Sequence, residues 1–149
     1  MNRFTYSVQE VTPYINWIYF FHAWGFKPTA IHTPEAEELR ADALTQLNRL
    51  EGQLRIQSLC RLCQAYAKGD DLLLDGTVFP LLRQQMPRTD GAPHLCLSDF
   101  VRPFTSGKPD TVGVFASSVS NASKPSDDPY RNLLTQTLTD RLAEAATEK

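Results

Sequence analysis

The sequence predicts an α+β domain, and three observations predict it. Thr33-Pro34-Glu35 announces one amphipathic helix, Asp128-Pro129 announces another, and between them lie short apolar runs punctuated by turns. Strand and helix signals do not alternate along the chain. A mostly antiparallel, twisted sheet with flanking helices is therefore expected. With 149 residues, 42% hydrophobic and 21% charged, the chain fits a single domain over 1–149, with an N-terminal arm at 1–13 and a loop at 117–128. A globular chain of this size buries roughly 68–70% of its unfolded surface around one core, and needs neither disulfide nor metal to do so.

Tyr14 to Trp24 is too densely aromatic for a solvated face and reads as a buried anchor. Thr12 as N-cap and Pro13 at the first helical position give it a short helix that ends before Gly25 and Lys27-Pro28. In the next helix Ala36, Leu39, Ala43, Leu47, Leu50 and Leu54 recur at spacings of three and four. Glu37, Glu38, Arg40, Asp42 and Arg49 then face water, and Gly52 marks the end. Loose alternation from Ile56 to Tyr66, the turn Lys68-Gly69-Asp70 and the run Leu72-Leu73-Leu74 predict a β-hairpin. Phe79 to Gln85 reads as one helical turn, while Leu95–Val101 and Thr111–Ala116 read as two more strands. After the Ser- and Asp-rich loop, Leu133, Leu134, Leu138, Leu142 and Ala145 form the apolar stripe of the last helix.

The 15 Lys and Arg are scattered and balanced by 17 Asp and Glu, for a net charge of -2, which excludes nucleic acid as the expected partner. The apolar stretch Tyr14 to Phe26 contains Asn16, His22 and Gly25 and is shorter than the roughly 20 residues that span a bilayer. No basic segment or small-residue cleavage site accompanies it, so neither a membrane partner nor a signal peptide is expected, and the cytoplasm is the expected compartment. There the three cysteines remain thiols. Asn121-Ala122-Ser123 matches a glycosylation acceptor, a pattern without meaning in the absence of secretion.

Few residues could carry chemistry. Cys60-Arg61-Leu62-Cys63 with His94 and Cys96 offers the ligand types of a Cys3His zinc site, although residues three apart on a strand point to opposite faces. Buried thiols acting as small apolar residues are the alternative, and a redox dithiol fits less well because no βαβ pattern precedes the pair. Asp70-Asp71 and Asp127-Asp128 sit where a turn and a helix cap already call for aspartate. His22 reads as a hydrogen-bonded core histidine. Arg83-Gln84-Gln85 suits either a planar anionic group or an internal network. There is no nucleophile motif and no phosphate-cradling glycine loop, so a complete catalytic site is not expected.

Four segments in order carry a resemblance: Tyr14-Ile15-Asn16-Trp17 with Phe20-Phe21 and Trp24; Gly69-Asp70-Asp71; Leu82-Arg83-Gln84-Gln85; and Cys96-Leu97-Ser98-Asp99-Phe100-Val101-Arg102-Pro103. The last continues through Ser106-Gly107-Lys108, Asp110, Gly113 and Phe115-Ala116, and Asp140 to Ala145 matches as well. Together they resemble the activation domain of cobalamin-dependent methionine synthase, over the front part of that domain. The resemblance implies S-adenosylmethionine as ligand, with Asn16 at the position where the family carries an acidic ligand contact. It implies cobalamin only through a partner, a cobalamin-dependent methyltransferase or its cobalamin domain. The expected protein is a stand-alone, shortened accessory module that supports reductive methylation of cobalamin in methionine biosynthesis. A composite S-adenosylmethionine site completed by a partner chain, or a zinc-stabilised interaction domain, is the alternative. Because the family segments that complete the ligand site are not matched, an exposed sheet edge, covered by a homodimer or a docking partner, is also expected.

Overall fold

In a computed structural model, residues 1–86, 91–121 and 125–149 are described. They form β1 (Asn2–Tyr6), α1 (Val8–Val11), α2 (Trp17–Ala23), α3 (Pro34–Leu50), β2 (Leu54–Lys68), β3 (Asp71–Leu74), β4 (Thr77–Phe79), β5 (Asp110–Asn121) and α4 (Pro129–Glu148), joined by short 3-10 turns. The strands make one five-stranded sheet in the order β1-β2-β3-β4, with β5 paired to β2. The α+β class and the mostly antiparallel sheet are thus as expected. The single core is not: the chain resolves into two compact units, residues 2–59 with 115–149 and residues 60–114 with Met1.

The larger unit holds the helices. Thr33 caps α3 and Asp128 caps α4, each followed by proline, as their sequences announce. Ala36, Leu39, Ala43, Leu47 and Leu50 of α3 and Leu134, Leu138, Leu142 and Ala145 of α4 are buried together. Leu133 is 53% exposed and leaves the predicted stripe, and Leu54 is buried from β2 rather than from the helix. The arm expected at 1–13 is structured: β1 joins the sheet, and α1, closed by a Ser7–Glu10 capping box, buries Val8 and Val11. Thr12 ends that helix, its Oγ1 donating to the Val8 carbonyl, instead of starting the next. The aromatic segment is half anchor. Phe20 and Phe21 are buried, whereas Ile18 and Tyr19 on the same helix are more than half exposed, at 54% and 56%. β5 continues to Asn121, into the predicted loop, because Ser117 meets Ser58 Oγ at 2.6 Å and Val119 packs on the core. The acceptor pattern at Asn121-Ala122-Ser123 falls partly outside the described residues.

The smaller unit is built from hairpins. Lys68 pairs with Asp71 across Gly69-Asp70, and Leu74 pairs with Thr77 across Asp75-Gly76. Both residues of the second loop have positive φ, 46° and 84°, the requirement of the type I′ turn that Asp-Gly favours. Cys63, Ala65, Leu72 and Leu74 form its core, with Leu81, Val101, Val112 and Val114 against them. In this unit the odd residues Cys63 and Ala65 of β2 are buried; in the other, the even residues Leu54, Ile56 and Ser58 are. Residues 79–85 form no helical turn: Phe79 closes β4, and the Gln84 N–H donates to the Leu95 carbonyl at 2.9 Å rather than to a carbonyl of a preceding turn. Leu97–Phe100 is a 3-10 turn rather than a strand, because the Asp99 carboxylate folds back to accept from the Cys96 N–H at 2.9 Å.

Candidate functional site

Asn16 stands at the N-terminus of α2. Its backbone is extended and its Oδ1 accepts from the N–H groups of Ile18 and Tyr19 at 3.1 and 3.4 Å, so the side chain is the helix cap. The cap holds because the helix behind it is anchored: Phe20 packs edge-on against Trp17 and Phe21 at centroid distances of 5.3 and 5.6 Å, and Arg40 lies 4.9 Å over the Trp17 ring. With Oδ1 committed, the Asn16 Nδ2 has no hydrogen-bond partner among the described residues, and the side chain is exposed together with Ile18, Tyr19 and His22. His22 is therefore a surface residue and not the core histidine that the sequence suggested. Chemically the arrangement presents one amide donor beside an exposed aromatic and aliphatic surface.

In the smaller unit Arg83 forms a network and not an open anion site. Its Nε and Nη2 donate to Asp70 Oδ1 at 3.1 and 2.7 Å, its Nη1 and Nη2 to the two Asp99 oxygens at 2.7 Å each, and its Nη1 to the His94 carbonyl at 2.7 Å. All five guanidinium N–H donors are used. These bonds hold the Asp99 carboxyl at about 2, with the Cys96 N–H contributing next. Asp70, read as a turn residue, is thereby also an ion-pair partner, while Asp128 is the α4 cap.

The zinc reading fails on geometry. The described residues contain no group of three or more His, Cys, Asp or Glu side chains placed to hold a metal. His94 Nδ1 contacts the Gln84 carbonyl at 2.6 Å, Cys96 Sγ points to the Asp70 carbonyl at 3.4 Å, and Cys63 lies against Asp75. Burial first, then the Asp75 charge, pushes the Cys63 thiol above its ordinary range, which suppresses the thiolate that ligation or redox chemistry requires. All three cysteines are free thiols.

Asp75 is the residue that the sequence reading passed over. It accepts from the Gln64 N–H at 2.9 Å and from Arg61, and sits at positive φ in the tight turn. The dipeptide Asp75-Gly76 after an apolar run was the available signal. No helix among the described residues is long and apolar enough to cross a membrane.

Comparison with known proteins agrees with this arrangement. A crystal structure of the MetH reactivation domain bound to AdoHcy superposes with a TM-score of 0.80 at 30% identity, over 99% of this chain and 52% of that one. The chain thus spans about half the length of the solved relative. The sequence model of the vitamin B12 dependent methionine synthase activation domain matches residues 7–149. With the family model matched over residues 7–149 and the backbone superposed over almost the whole chain, the chain belongs to the activation-domain family of vitamin B12 dependent methionine synthase.

Proposed function

We propose that the chain is an activation module that works in the cytoplasm, docking on the cobalamin domain of a cobalamin-dependent methyltransferase to support reductive methylation of its cobalamin. One observation carries this reading: nearly the whole chain follows the backbone of a reactivation domain that holds AdoHcy. AdoHcy is what S-adenosylmethionine becomes after giving up its methyl group, so a reactivation domain that holds it is a methyl-donor site. Here the cobalamin comes with the partner, and the module's task is to position a sulfonium methyl against it, which is orientation rather than acid–base chemistry.

Asn16 is the residue we assign to the ligand. Its free Nδ2 offers a donor to an acceptor on S-adenosylmethionine, where a carboxylate would have faced the ligand's positive charge.

Calorimetric titration with S-adenosylmethionine tests this reading. The chain is titrated alone, then mixed with cobalamin-loaded methionine synthase lacking its own activation domain. Binding in the mixture, lost on Asn16→Ala, is the expected result. Silence in both titrations, with the chain folded and the two proteins shown to associate, would leave docking without ligand and sink the methyl-donor reading.

A further inference from the structure

A hollow of about 210 Å³ in the larger unit is lined by the C-terminal half of α3, the first turns of α4 and the end of β5. It is smaller than the roughly 300–1,000 Å³ of a cofactor-sized site. Its charge is one-sided: Arg49 comes from α3, Arg131 from α4, and no carboxylate stands among its described lining residues. Elsewhere Arg61, Arg83, Arg102 and Arg141 are paired with carboxylates, and Arg40 lies over Trp17. Arg49 and Arg131 have no ion pair among the described residues. An adjoining hollow shares both arginines and contains two carboxylates, but these are engaged. Asp42 accepts from the Tyr130 hydroxyl at 2.8 Å, and Asp128 accepts from the Tyr130 and Arg131 N–H groups at 3.0 and 3.4 Å. Two cations facing one space repel each other unless an anion lies between them.

The polar walls are fixed by bonds of their own. Gln46, only 7% exposed, donates through Nε2 to Thr135 Oγ1 at 3.0 Å, and Thr135 donates to the Arg131 carbonyl at 2.8 Å. The Ser126 N–H donates to Asn132 Oδ1 at 2.8 Å, and Asn132 Nδ2 donates back to the Ser126 carbonyl at 2.6 Å. The Ser126 hydroxyl accepts from the Asp128 N–H at 3.2 Å and has its own proton left to donate. Two guanidiniums and a hydroxyl donor suit an oxyanion, and charge selects within that class. A carboxylate brings one negative charge and is already satisfied fork to fork by a single guanidinium. A phosphate monoester carries about 1.5 to 2 negative charges at neutral pH, which matches the pair. We propose that this hollow binds a small phosphate-bearing anion, held by Arg49 and Arg131 with the Ser126 hydroxyl.

The test titrates the intact, isotope-labelled chain with inorganic phosphate at neutral pH and constant ionic strength, followed by NMR at the arginine Nε–H groups. A saturable response confined to Arg49 and Arg131 is expected. Arg49→Gln and Arg131→Gln should each weaken binding at least tenfold, as the loss of a charge-assisted bond does. Arg3→Gln removes the same charge from an exposed position on β1 and should leave binding unchanged. Acetate should bind at least tenfold more weakly than phosphate. Both arginines are exposed, and if either variant fails to fold, the localisation of the response on the unaltered chain decides. Glycerol phosphate separates the two sources of the group: tighter binding than inorganic phosphate assigns the site to a phosphate monoester, weaker binding to the free ion. A response that never saturates, one that spreads to Arg3 and Arg55, equal affinity for acetate, or equal loss in Arg3→Gln would each overturn the proposal. S-adenosylmethionine carries no phosphate, so the outcome is independent of the reading of Asn16.

Discussion

Replacing Phe20 by alanine measures how firmly the aromatic helix holds the residue that caps it. Phe20 is 0% exposed, and its ring lies among Trp17, Phe21 and Trp24 at centroid distances of 5.3, 5.6 and 6.3 Å. Truncation forfeits the ring's transfer free energy and leaves a cavity that rigid neighbours fill poorly, together about 3–5 kcal/mol. For a chain of this length each kcal/mol lowers the melting temperature by about 2–4 °C, so a fall of roughly 6–20 °C is expected. The assay is intrinsic fluorescence during urea and thermal unfolding, since both tryptophans of the chain, Trp17 and Trp24, border the altered ring. Ile18→Ala serves as the control. Ile18 is 54% exposed on the same helix and should change stability by no more than about 0.5 kcal/mol. Equal losses for the two variants would refute the division of this helix into a buried face and a free one, and with it the positioning of Asn16.

Asn16→Asp keeps the cap and restores a carboxylate, so stability should hold within about 0.5 kcal/mol while affinity for S-adenosylmethionine rises; Asn16→Ala should cost about 1 kcal/mol in unfolding and abolish binding. Asp99 is held at about 2, below its unfolded value near 3.9, so its contribution is complete above about pH 4 and is lost as pH falls toward 2. Asp99→Asn should flatten that part of the acid-unfolding curve. Tyr130 is pushed up to about 12 by burial and by its bond to Asp42, 2.8 Å away, so its contribution is present below about pH 10 and disappears as pH rises toward 12. Tyr130→Phe should remove that alkaline step in a melting-temperature series.

How far each element was legible depends on whether its cause is local. α3 and α4 are announced by Thr33-Pro34 and Asp128-Pro129 because a cap and a proline act within one turn. The first hairpin is equally local, in Lys68-Gly69-Asp70. The Leu97–Phe100 turn is not, since its strand-like composition is overridden by Asp99, whose carboxylate caps Cys96 while a distant arginine holds it in place. β5 ran past its predicted end for a similar reason: its Ser-Val alternation means little until Ser58 is seen opposite Ser117. The candidate site divides in the same way. Asn16 was found through a family pattern, and its capping role follows from Oδ1 geometry that no spacing reveals. The CxxC pair had the right residue types and the wrong backbone, because a strand sends residues three apart to opposite faces.

The Arg83 network has a further consequence, for where this chain accepts foreign sequence. Arg83 and Gln84 are tied directly to His94 and Leu95, so these two stretches are fastened to each other by bonds of their own. An epitope, a fluorophore-bearing peptide or a cleavage site inserted directly after Met86 should therefore leave these bonds in place. The fastening needs no oxidant and no metal, so a protein labelled there should keep its fold in reducing, chelating buffer.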